Sequence, residues 1–88
     1  MNRDGELIAQ VSIYPLKADD PAPLIDMAIR KWHEFGLNPV PGPMSTMISG
    51  EEGRIWEGLR MAFDSIPPSS DPVMVVIVRR KKGFISQP

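Results

Sequence analysis

The chain carries one histidine, His33, and no cysteine. A single imidazole cannot assemble a metal site or a nucleophile, base and acid triad, and without a thiol there is neither thiolate ligand nor cysteine nucleophile. The 11 acidic residues have simpler duties than paired carboxylate catalysis. Asp19-Asp20 precedes Pro21 and reads as helix capping, while Glu51-Glu52 sits where it would complement a helix dipole. Gly50-Glu51-Glu52-Gly53 lacks the glycine fingerprint and the following Lys-Ser/Thr pair of a phosphate loop. The basic run Arg79-Arg80-Lys81-Lys82 reads as the solubilising flank of a strand. What keeps chemical character is a polar set, Gln10, Ser12 and Tyr14 with Ser45, Met47 and Ser49. Short hydroxyls between aliphatic walls can orient a small flat organic ligand through a few hydrogen bonds, and they are equally at home in a sheet interface. The expectation is a protein that is not an enzyme, with no catalytic residue, no metal and no cofactor.

The elements that must position this set follow from periodicity. Leu7, Ala9, Val11 and Ile13 alternate with Ile8, Gln10, Ser12 and Tyr14, a first strand over 6–14 closed by Pro15. Asp20 before Pro21 starts a helix, on which Ile25, Ala28, Ile29, Trp32 and Phe35 recur at helical spacing until Gly36. Pro39, Pro41 and Pro43 confine any second strand to a sheet edge. Met44 to Ser49 alternates again as a third strand, and Ser49 with Glu52 has capping-box spacing. A second helix then carries Ile55, Trp56, Leu59, Ala62, Phe63 and Ile66 and ends at Pro67-Pro68. Both tryptophans are expected in the helix-to-sheet core, the alternative being that one borders the pocket and stacks on a ligand ring. Val73 to Val78 is an unbroken β-branched run, the fourth strand. The order β-α-β-β-α-β predicts an α+β, ferredoxin-like plait: one domain over 1–88, ordered over 6–82 with a flexible tail at 83–88, its four-stranded antiparallel sheet covered by two helices on one face.

Such a sheet has a second face. The fourth strand is apolar on both sides, Val73, Val75 and Ile77 against Met74, Val76 and Val78, and the chain's own helices cover only one set. Leaving three aliphatic side chains in water forgoes several kcal/mol, at about 25 cal/mol per Å² of apolar surface, against a total stability of roughly 5 to 10 kcal/mol. The strand also lies at a sheet edge. The expected partner is a second copy of the chain, in a homodimer or homotetramer joined through the open face and Val73 to Val78, with Val76→Lys as the disrupting change.

Composition bounds the rest. With 88 residues there is room for one core. The net charge of −1 supplies no positive field for a phosphate backbone or an anionic membrane, and the first and third strands offer a nucleic acid no stacking aromatic beyond Tyr14. An acylphosphatase-like loop would need an arginine after the first strand, where Lys17 stands. No apolar run reaches the roughly 18 residues of a membrane span, and Met1-Asn2-Arg3-Asp4-Gly5 does not open a signal peptide. The expectation is a cytoplasmic protein without nucleic-acid or membrane partners.

The segments Val11-Ser12-Ile13-Tyr14-Pro15-Leu16, Gly36-Leu37 and Gly42-Pro43-Met44-Ser45-Thr46-Met47-Ile48-Ser49-Gly50-Glu51 resemble the YkoF-like thiamine-binding family of small ferredoxin-like proteins. The resemblance spans nearly the whole chain. It implies dimers or tetramers joined through their sheets and, in some members, non-catalytic binding of thiamine or its pyrimidine precursor. Tyr14, Met44 and Thr46 stand at the family's motif positions, which implies a role as ligand contacts. The chain departs from the pattern at Ser45, where relatives commonly carry Gly, and at Ser49, where they commonly carry Glu. Its basic ending departs as well.

Together these readings predict ligand-binding residues Ser12, Tyr14, Met44, Ser45, Thr46, Met47 and Ser49 for thiamine or a related heteroaromatic metabolite. The alternative is a structural or regulatory self-association module with no small ligand, and an enzyme built on a dimeric pocket is a third, weaker reading.

Overall fold

A computed structural model describes residues 5–81. Within them the chain runs β1 (Glu6–Pro15), α1 (Ala22–Glu34), β2 (Val40–Pro41), β3 (Thr46–Glu51), α2 (Glu52–Ser65), a 3-10 turn (Pro68–Ser70) and β4 (Pro72–Arg80). The strands form one antiparallel sheet in the order β2-β3-β1-β4, and both helices pack on one face of it. This is an α+β, ferredoxin-like plait. The expected fraying of 83–88, and Lys82 of the basic run, lie outside the described residues.

The alternation of β1 decides which side is which. Leu7, Ala9, Val11 and Ile13 are buried, and the register places Ile48 opposite Ala9 on one side, with Val78, Val76 and Met74 opposite Ala9, Val11 and Ile13 on the other. These residues meet Ala28 and Trp32 of α1 and Ile55, Leu59 and Ala62 of α2, and each fully buried aliphatic contributes about 1.5 to 3 kcal/mol. Val76 therefore faces the helices, so it is not the position at which to break a contact made by the open face. The outward set on β4 is Val73, Val75 and Ile77.

Several boundaries differ from the periodicity. The N-cap of α1 is Pro21, and Asp20 Oδ1 accepts from the Ala22 amide at 3.2 Å, because proline lacks an N–H and the first donor available is one residue later. At its other end Gly36 takes a φ of 77°, and the amides of Gly36 and Leu37 return to the carbonyls of His33 and Trp32 at 3.1 and 2.9 Å, a Schellman closure. β3 starts at Thr46 because a turn through Pro43 and Met44 is closed by the Gly42 amide on the Ser45 carbonyl at 2.8 Å. Ser49 stays in that strand opposite Ile8, its own amide donating to the Leu37 carbonyl at 2.9 Å. The N-cap of α2 is instead Glu51, whose Oε1 accepts from the Arg54 amide at 3.2 Å. β4 continues through Arg79 and Arg80, since Ile8 and Leu7 still offer partners, so this pair belongs to the sheet rather than to a solvent flank. Arg80 Nη1 lies 2.6 Å from Glu52 Oε1, and that carboxylate holds the guanidinium pKa above its ordinary value, through the hydrogen bond first and the charge second.

The tryptophans part company. Trp32 is 1% exposed and its Nε1 donates to the Gly58 carbonyl at 3.0 Å, whereas Trp56 is 52% exposed. On α2 the residues at 55, 58, 59 and 62 make the buried stripe, continued by Ile66 at the C-cap, and Trp56 and Phe63 stand beside it, one 100° step round the helix from Ile55 and Ala62.

Candidate functional site

A mismatch of strand lengths creates a cleft. β1 has 10 residues and β3 has 6, and their pairing ends at Val11 opposite Thr46. The edge of β1 from Ser12 to Tyr14 is thus left without a β3 partner, while β4 continues to pair its other side up to Pro15. The proline-rich hairpin through Pro41 and Pro43 lines one side of this gap, and α1 lines the inner side with Ile25, Asp26, Ile29 and Trp32. The result is a cleft of about 280 Å³, close to the lower end of the roughly 300 Å³ at which small-ligand sites begin.

The lining has the character expected of such a site. Aliphatic and proline walls carry a few polar groups, the hydroxyls of Ser12, Ser45 and Thr46 and the Tyr14 phenol. Ser12 Oγ donates to the Met44 carbonyl across the mouth at 3.4 Å, a long bond that a better acceptor could replace. The uncovered backbone edge of β1 adds donors and acceptors that no neighbouring strand satisfies on that side. Asp26 is the charged side chain of the lining among the described residues, and none of the ion pairs formed among those residues involves it.

Five of the seven residues singled out from the sequence come together here, Ser12, Tyr14, Met44, Ser45 and Thr46. Their surroundings differ. Thr46 is 6% exposed on the helix side of the sheet, Met44 is fully open at the hairpin tip, and Tyr14 is half-exposed at the strand end. Met47 and Ser49 are not part of the lining. They lie on the open sheet face, Met47 opposite Gln10 and Ser49 opposite Ile8, further along β3 where the ladder with β1 is closed, whereas the cleft opens beyond the last pair, Val11 and Thr46. The inner wall, Ile25, Asp26 and Ile29, has no counterpart in the residue set drawn from the strands. The helical periodicity placed Ile25 and Ile29 on the inward stripe, and Asp26 directly follows the first of them. Among the described residues no group of three His, Asp or Glu side chains could hold a metal ion, and His33 is exposed.

No family model and no curated protein matches the chain. Solved structures do. A hypothetical protein from Methanocaldococcus jannascii superposes with a TM-score of 0.73 at 20% identity, over 93% of this chain and 84% of its own. A Thermotoga maritima protein provisionally assigned to thiamine biosynthesis or salvage gives 0.76 at 22%, over 92% and 89%. A domain of unknown function from Bacillus cereus gives 0.75 at 17%, over 92% and 82%. At these identities the likeness is one of fold. Among the described residues no helix is long and apolar enough to cross a membrane.

Proposed function

We propose that this chain is a non-catalytic binding protein for thiamine or a related heteroaromatic metabolite, acting as a homo-oligomer paired through its sheet. The observation that carries the reading is the cleft beside Ser12 to Tyr14, where an uncovered strand edge, three hydroxyls, a phenol and the Asp26 carboxylate are set among aliphatic and proline walls. A flat ring with one or two hydrogen-bonding substituents suits that lining. The sequence resemblance at Tyr14, Met44 and Thr46 supports the same ligand class, and so does the thiamine assignment of one protein sharing the fold. Nothing in the lining pairs a base with a nucleophile, so binding is proposed without bond chemistry.

Assembly through the sheet is supported by the outward surface. Ile77 is 60% exposed, and Val73, Val75, Tyr14 and Met47 share its face. β4 is an edge strand whose outer side has no strand neighbour among the described residues. A second copy would cover both features. The same surface is what favours the alternative reading, an association module without a small ligand.

Calorimetric titration and thermal shift with thiamine, its phosphates and the hydroxymethylpyrimidine separate the two. Heat and a raised unfolding temperature for at least one of them are expected. Silence for all of them at millimolar ligand would leave the association module.

A further inference from the structure

Resting on the cleft as the binding site, we propose that Asp26 sets the charge of what it accepts: a flat heteroaromatic bearing a positive charge, in preference to its neutral fragments and against its phosphorylated forms. Among the described residues Asp26 is the charged side chain of the lining, set on α1 between Ile25 and Ile29. Everything around it is hydroxyl, phenol, thioether, proline, tryptophan or aliphatic, so a ligand meets this one charge without a compensating cation in the cleft. No ion pair forms between Asp26 and any described residue, although Arg30 stands one turn further along the helix.

The sign of the preference follows from desolvation. A ligand seated against the wall displaces water from the carboxylate. A neutral ring leaves that charge less well solvated, a cationic ring replaces the lost water, and a phosphate adds repulsion. Arg30 and His33 do face an adjoining shallow groove, which shares Asp26, Ile29 and Pro41 with the cleft. Asp26 lines both, so a phosphate reaching from the cleft into that groove shares it with the carboxylate. The carboxylate is exposed, so the effect is modest in size, and its direction is the informative part.

The test is titration of wild type, Asp26→Asn, Asp26→Glu and Tyr14→Ala with three probes: cationic thiamine, the neutral hydroxymethylpyrimidine and thiamine diphosphate. Asp26→Asn is expected to weaken thiamine about two- to fivefold, leave the neutral pyrimidine within about twofold and tighten the diphosphate, with Asp26→Glu restoring the wild-type order. A merely structural role would move all three probes the same way. Tyr14→Ala reports on the cleft itself and is expected to weaken every probe. If Tyr14→Ala weakens binding while Asp26→Asn changes the three probes alike or not at all, the role of Asp26 is overturned and the cleft stands. Diphosphate binding wild type more tightly than thiamine overturns it too, in favour of the Arg30 and His33 groove. If no probe binds, or if Tyr14→Ala changes nothing, the cleft fails as the site and the role of Asp26 fails with it.

Discussion

The indole of Trp32 on α1 donates to the backbone carbonyl of Gly58 on α2 at 3.0 Å, inside the core. Gly58 also makes room for Leu37, since a methyl there would overlap Leu37 Cδ1, which is buried, while standing in ordinary contact with the indole at 3.5 Å. Trp32→Phe removes the donor and part of the ring, and is expected to destabilise the fold by roughly 2 kcal/mol, read as a lower denaturant midpoint. Gly58→Ala gains up to about 1 kcal/mol of helix propensity but overpacks at a cost of about 1 to 3 kcal/mol, so a net loss is expected. Wild-type stability in both variants would refute this account of the helix-helix contact.

Trp56 supplies the contrast. Half of its surface is open, so Trp56→Phe is expected to change stability by no more than about 0.5 kcal/mol. It should also remove most of the fluorescence that iodide quenches, while Trp32→Phe leaves that fraction in place. Equal quenching of the two single-tryptophan proteins would contradict the burial assigned to Trp32.

Ile77 is the position at which the proposed assembly is most exposed to test. A lysine there points away from the helices, so Ile77→Lys is expected to keep the circular dichroism of a folded chain and to reduce the sedimenting mass to that of a monomer. Val76→Lys, which places a charge against the helices, should instead unfold the protein. An Ile77→Lys protein that sediments like wild type would remove the open face from the interface.

Arg80 and Glu52 predict a flat pH response. The arginine pKa is raised in the folded chain above its ordinary value, so its contribution is fully present below the unfolded value and is lost only as pH rises through the still higher folded one. Between about pH 6 and about pH 9 the unfolding midpoints of wild type and Arg80→Gln should therefore run parallel. Profiles that converge within that window would show that some other titrating group depends on Arg80.

The architecture was legible where burial imposes a period. Leu7 to Ile13 named the inner face of β1, and Ile25, Ala28, Ile29 and Trp32 named the inner face of α1, because in each case one side of the element is covered and the other is not. Trp56 was misplaced because it adjoins the true stripe of α2, and an apolar residue one step off a stripe satisfies the same pattern. Ser49 has cap spacing to Glu52, but its amide bond to Leu37 and its place opposite Ile8 in the sheet come from segments far away in the chain. The strand side of the cleft could be named from local alternation and resemblance. Asp26 could not, since the hairpin facing it lies some fifteen residues further along and only tertiary packing brings the two together.

The shortfall of β3 against β1 has a consequence for how such a cavity could change. Its aperture is fixed by where the hairpin turns back, a matter of chain length between Val40 and Thr46, whereas the packed interior is fixed by side chains elsewhere. Lengthening or trimming that excursion would resize the opening and leave the helix-covered layer untouched. Adaptation to a bulkier or slimmer guest could then proceed by insertion and deletion at the rim, at only the slowly growing entropy of closing a longer loop.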